Sequence, residues 1–158
     1  MRLVSLIIGL VIIVFASQAA AFWGLFGNSA KDVAAVDGNI VIDVSALPQD
    51  GARFYRHRVD GLVIKFFVVR DGEGAIRAAL DACEVCWKAG KGYELADGAM
   101  RCVNCGRRFP LARIGIVSGG CNPHPFRFKT EGDSVIIEAR ELMLGADYFP
   151  ENVPENDK

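Results

Sequence analysis

All five cysteines of this chain lie between Cys83 and Cys121. Four of them form two C-x-x-C pairs, Cys83-Glu84-Val85-Cys86 and Cys102-Val103-Asn104-Cys105, separated by fifteen residues. A thiolate is a soft, charged ligand, and a C-x-x-C turn aims two of them at one point. Fifteen residues suffice for a hairpin that folds the second turn back onto the first. The spacing therefore predicts a four-thiolate metal or cluster site with Cys83, Cys86, Cys102 and Cys105 as ligands. Zinc, a single iron, a [2Fe–2S] cluster and a [4Fe–4S] cluster all accept such a set, and spacing leaves them open. A thioredoxin-type redox pair fits less well, because that chemistry wants its C-x-x-C at a helix N-terminus after a strand in an α/β unit.

The fifth cysteine sits in Gly119-Gly120-Cys121-Asn122-Pro123. Two loops already fill four positions, so Cys121 is expected close by but outside the ligand set, in a loop that wraps the site and excludes water. Two alternatives stand beside this: Cys121 is a ligand and one loop cysteine is spare, or it binds a second metal with His124. The chain has two histidines and no grouping of serine, histidine and aspartate fit for nucleophilic catalysis. The sequence therefore offers little for nucleophilic catalysis.

The elements that must position these thiols read as mostly β. Asn39 to Val44 predicts a strand, closed by the turn cluster Pro48-Gln49-Asp50-Gly51. Arg53 to Val59 alternates aromatic and basic residues, which predicts a strand with one polar face. His57 is expected on that charged face between two arginines, solvated or hydrogen-bonded and not a metal ligand. Asp60-Gly61 is a hairpin turn, and Leu62 to Arg70 is apolar on both sides at Phe66-Phe67-Val68-Val69, so it should be a central strand. Ala75 to Ala82 is ambiguous in period, but its place before the cysteine loop favours a strand that delivers Cys83. Gly92 to Leu95 should pair with Ala99 to Cys102 about an Asp97-Gly98 tip, with Trp87 and Tyr93 shielding the site or packing the core. Phe126 to Lys129 and Ser134 to Glu138 form a closing hairpin, and Ala139 to Tyr148 is a short helix or a last strand. The expected fold is a small antiparallel β domain of about seven strands, zinc-ribbon-like in its cysteine spacing, after an N-terminal apolar helix and with both C-x-x-C loops at one end.

The chain has 158 residues, net charge −1 and 51% hydrophobic residues. That length allows one domain and a leader. Charges of both signs are mixed throughout, so no nucleic-acid surface is expected. Arg2 precedes an apolar run from Leu3 to Phe15, and Ala19-Ala20-Ala21 supplies an A-x-A cleavage site before Phe22. Residues 1–21 are therefore expected to be a signal peptide or, with Phe22 to Phe26 extending the run, a membrane anchor. Either places the remainder outside the cytoplasm, periplasmic or held to the outer face of the cytoplasmic membrane. Residues 22–38 read as linker, 39–149 as the metal-binding domain and 150–158 as a polar tail. Export sharpens the cysteine question, because free thiols in an oxidising compartment pair unless a metal already holds them.

Two resemblances narrow the choice of metal. Cys102 to Leu111, with Gly106, Phe109, Pro110, the Gly119-Gly120 and Pro123 loop and the hairpin turn at Glu131-Gly132-Asp133, resembles the second half of a Rieske [2Fe–2S] domain. Cys105 stands where that domain has histidine, so the resemblance implies similar scaffolding around an all-thiolate site of lower potential. A closer resemblance is to the FtrD-like membrane iron–sulfur protein family. It rests on Asp81 to Cys86, Gly92-Tyr93, Cys102 to Phe109 and Gly119 to Pro123, within Val63 to Glu138. That resemblance implies an iron–sulfur cluster, [2Fe–2S] before [4Fe–4S], and electron transfer in bacterial iron uptake beside a membrane-bound iron permease or other redox partner. A structural zinc or mononuclear-iron module, or a metal or thiol carrier, is the alternative.

Overall fold

A computed structural model of the chain describes residues 30–152. The run read as a signal peptide or anchor, with its expected cleavage site, and residues 153–158 lie outside the described residues. Among the described residues no helix is long and apolar enough to cross a membrane.

The centre of the molecule is β4 (Leu62–Arg70), a strand whose middle is apolar on both faces. It pairs antiparallel with β3 (Gly51–Val59) on one side and β5 (Ile76–Leu80) on the other. Successive strand residues point to opposite faces, so this sheet buries two separate sets of side chains. Ile64, Phe66 and Val68 face one core with Tyr55, Ala78 and Leu80. Phe67 and Val69 face the other with Phe54 and Ala79. Each phenylalanine at the centre is fully buried, which stabilises the fold by about 2–3 kcal/mol per side chain.

A second sheet covers the first face. It is β2 (Asn39–Asp43), β10 (Ser134–Glu138) and β9 (Lys129–Glu131) in that spatial order, all antiparallel. Its alternating Ile40, Ile42, Val135 and Ile137 complete that core. The third sheet, on the opposite face, is β6 (Tyr93–Ala96), β7 (Ala99–Cys102) and β8 (Arg108–Pro110), with Cys102 ending β7 and Cys105 in the turn before β8. Two of the hairpins turn on an Asp-Gly pair with positive φ at both residues, 49° and 80° at Asp60-Gly61 and 49° and 70° at Asp97-Gly98. This is the turn whose twist matches that of paired strands.

The expected strand at Ala75 to Ala82, the central place of β4 and the hairpin about Asp97-Gly98 are all present. The ambiguous Ala139 to Tyr148 segment is helical, as α1 (Ala139–Met143) followed by a 3₁₀ turn at Ala146–Tyr148.

Several expectations differ from the structure: ten strands form among the described residues where about seven were expected, and the closing hairpin opens with Lys129–Glu131 and not Phe126 to Lys129. The segment read as linker contributes β1 (Lys31–Val33), which pairs in parallel with Tyr55 to His57 of β3 and makes one pair of this otherwise antiparallel sheet parallel. Its three residues are too few to show a period. The segment read as tail begins with a 3₁₀ turn, Pro150–Asn152, and the Asn152 amide bonds both the N–H and the carbonyl of Val63 at 2.8 Å. That side chain completes the β4 ladder beyond the end of β5. Finally, His57 is buried, 3% exposed, with Nδ1 3.1 Å from the Val33 carbonyl. The flanking arginines point to the other face, as strand geometry requires, and Arg56 forms a two-point pair with Asp32.

Candidate metal centre

The first cysteine loop is held at its entry by Asp81. Its own N–H donates to the Lys65 carbonyl on β4 at 2.9 Å, and its carboxylate accepts the Tyr93 N–H at 2.6 Å. Gly92 approaches so closely that a Cβ there would lie 2.5 Å from the Asp81 carboxylate, and its φ of +63° disfavours any side chain. Past this point the loop turns, and the Cys86 N–H donates to Cys83 Sγ at 3.2 Å. An amide aimed at sulfur stabilises the thiolate form that a metal needs.

The second loop repeats the device at the end of the β6–β7 hairpin. Cys102 lies opposite Tyr93, its N–H donates to the Arg107 carbonyl at 2.9 Å, and its carbonyl accepts the Gly106 N–H at 2.9 Å. The amides of Cys105 and Asn104 favour the thiolate form of Cys102, and the Arg107 amide favours that of Cys105. Val103 N–H donates to the Gly92 carbonyl at 3.0 Å, which ties the two loops together.

Cys121 is delivered by neither loop. The segment after it runs beside the end of β5: Leu80 N–H donates to the His124 carbonyl at 2.9 Å, and His124 N–H donates to the Ala82 carbonyl at 3.0 Å. The Tyr93 hydroxyl donates to the Cys121 carbonyl at 2.6 Å.

These elements bring all five cysteines to one end of the molecule. The sulfurs of Cys83, Cys86 and Cys121 lie within 4.8 Å of one another, and so do those of Cys86, Cys102 and Cys105. Cys86 belongs to both groups, and its Sγ is 3.8 Å from that of Cys121. His124 belongs to neither. Its ring lies against Tyr148, with centroids 4.7 Å apart. The donors are sulfur alone, which suits zinc, iron and iron–sulfur clusters and does not suit calcium or magnesium.

Burial grades the thiols. Cys83, Cys102 and Cys121 are buried, while Cys105 is exposed. Burial pushes Cys121 up to about 12 and Cys102 up to about 11, the latter against its two amide donors. The Arg107 amide brings the Cys105 thiol down to about 7. Beside the sulfurs lies a small cavity of about 20 Å³ bounded by Asp81, Cys83, Cys86, Tyr93 and Cys102, the space of about one water. Burial raises the Asp81 carboxyl to about 7.

Tyr93 was expected to shield or pack, and its ring does so, edge-on to Phe67 and Phe109 at 5.9 and 6.0 Å. Its hydroxyl and the carboxylate of Asp81 hold the loops as well, a role that residue types and spacing do not signal. Trp87 is half-buried and carries Lys88 over its ring at 5.5 Å.

A β-sheet domain with convergent cysteines on one outer layer has the donor set of a thiolate metal protein. The family described as "Membrane iron-sulfur containing protein FtrD-like" matches residues 34–149, and the chain belongs to it. No curated protein matches the chain, and no solved structure does.

Proposed function

We propose that this is an exported electron-transfer protein whose cysteine end holds an iron–sulfur cluster, and that it serves a bacterial iron-uptake system beside a membrane-bound permease or redox partner. The observation that carries the reading is the convergence of five sulfurs in two groups sharing Cys86, in a chain of an iron–sulfur family. Cys83, Cys86, Cys102 and Cys105 are the proposed ligands, [2Fe–2S] is favoured over [4Fe–4S], and the Rieske-like reading applies to the scaffold around the second loop. The proposed metal-binding unit spans 39–149, with β1 paired to β3 and the turn at Pro150–Asn152 bonded to Val63 at its flanks.

The cluster, when bound, supplies a one-electron couple. The chain's own residues do the remainder. Amides at Cys83, Cys102 and Cys105 stabilise negative charge on sulfur. Phe67, Tyr93, Met100 and Phe109 keep water from the inner side. Exposed Cys105 and its neighbours Val103 and Val85 leave the outer side open to a partner.

Anaerobic purification with iron, acid-labile sulfide and zinc analysis tests the reading. Iron with sulfide, in a brown protein that bleaches with dithionite, is the expected result. Stoichiometric zinc without sulfide, in a colourless protein, would instead establish the structural or carrier alternative.

A further inference from the structure

Four loop cysteines satisfy a metal site on paper, yet the sulfurs do not group that way. A single ion held by the four loop thiolates would draw Cys83 together with Cys102 and Cys105. Instead Cys83 groups with Cys86 and Cys121, and Cys102 and Cys105 group with Cys86. Two thiolates on one tetrahedral metal, with bonds of about 2.3 Å, stand about 3.8 Å apart. The Cys86 and Cys121 sulfurs are at 3.8 Å. Cys121 is also fixed in place, with its carbonyl held by the Tyr93 hydroxyl and its segment bonded to Leu80 and Ala82. It is 8% exposed and faces the site.

We propose that Cys121 is a metal ligand, and that Cys86 is a thiolate common to two metal positions, one bounded by Cys83, Cys86 and Cys121 and the other by Cys86, Cys102 and Cys105. This rests on the iron–sulfur reading above, and in place of its four-thiolate, two-sulfide centre it puts five thiolates and one sulfide. The coordination count follows. Two tetrahedral irons need eight bonds, and five thiolates with one shared supply six. One sulfide shared between the irons supplies the other two. An ordinary [2Fe–2S] centre reaches eight with four thiolates and two sulfides, and leaves Cys121 spare. The shared-thiolate centre holds one sulfide fewer and one thiolate more. Its net charge with both irons ferric is therefore one unit less negative, which favours a higher potential than a four-thiolate [2Fe–2S] site.

The test uses the full chain, purified and kept anaerobic. Iron and acid-labile sulfide are measured together with the visible and Mössbauer spectra, for the natural protein and for Cys121→Ser. Expected are about one sulfide for every two irons in the natural protein, and in Cys121→Ser a loss of about half the iron or a shift of the sulfur-to-iron absorption. Equal iron and sulfide in the natural protein overturns the shared thiolate, and this arm stands even where the variant does not fold. A folded Cys121→Ser with unchanged iron and spectra overturns the assignment of Cys121 as ligand. Zinc without iron overturns the underlying iron–sulfur reading, a result distinct from both.

Discussion

Tyr93 makes contacts in three directions at once. Its N–H holds the Asp81 carboxylate, its hydroxyl holds the Cys121 carbonyl, and its ring fills the space between Phe67 and Phe109. Tyr93→Phe keeps the ring and the N–H but removes the hydroxyl contact to the Cys121 carbonyl. The variant is expected to lose about 1–2 kcal/mol in denaturant unfolding, and to release iron faster to a chelator than the natural protein. An unchanged release rate would show that the hydroxyl does not hold the loop. Asp71 tests a different contact, away from the cysteines. It is buried, and burial pushes its carboxyl up, but the Ala75 and Glu73 amides and Arg77 outweigh that and bring it below its ordinary 3.8. A carboxyl depressed by folding adds stability above its unfolded value and loses it as pH falls through the folded one. Asp71→Asn should therefore cost about 2 kcal/mol near neutral pH. The gap to the natural protein should shrink below about pH 4, as seen in urea unfolding across pH.

At the scale of elements, β4 carries the design, because adjacent residues on it serve different cores. Phe66 stacks on Tyr55 at 5.4 Å in the core beneath the β2-β10-β9 sheet. Phe67 lies against Phe54 and Tyr93 in the core that contains Cys83, Cys102 and Cys121. Truncating either side chain should cost about 3–5 kcal/mol. Only Phe67→Ala is expected to lower iron retention at temperatures where both variants remain folded. Calorimetry gives the first quantity and iron analysis after dialysis the second. Equal retention in the two variants would mean that the two faces of β4 are not independent. The Asn152 amide makes a comparable point at the chain's end: Asn152→Ala leaves the Val63 N–H and carbonyl without their side-chain partners.

For the whole molecule, the layered arrangement separates support from chemistry. The sheets of β2 and β4 make the base, and the sheet of β6, β7 and β8 is the outer layer on one face. A cluster held there, as proposed, would be buried on its inner side and reachable near the exposed Cys105. The proposed export is tested by a reporter fused after Lys158, expected to work outside the cytoplasm. Activity confined to the cytoplasm would contradict the export reading of Arg2 and Leu3 to Phe15.

The type of chemistry was legible in the sequence by itself, because C-x-x-C spacing is a local property of short turns. So were β4, whose apolar residues fall on both faces, and the Asp-Gly hairpins, whose turn chemistry is contained in two residues. β1 was not legible, since three residues of ordinary composition become a strand only when β3 offers them an edge. His57 illustrates the same limit: neighbours in sequence suggested a charged surface, but strand geometry sends those neighbours to the opposite face and buries the ring. The grouping of sulfurs belongs to the tertiary structure alone. Spacing pairs Cys83 with Cys86 and Cys102 with Cys105, but it has no term for a distant segment. What brings Cys121 to 3.8 Å from Cys86 is the backbone pairing of His124 with Leu80 and Ala82 and one hydroxyl of Tyr93, contacts made across the fold.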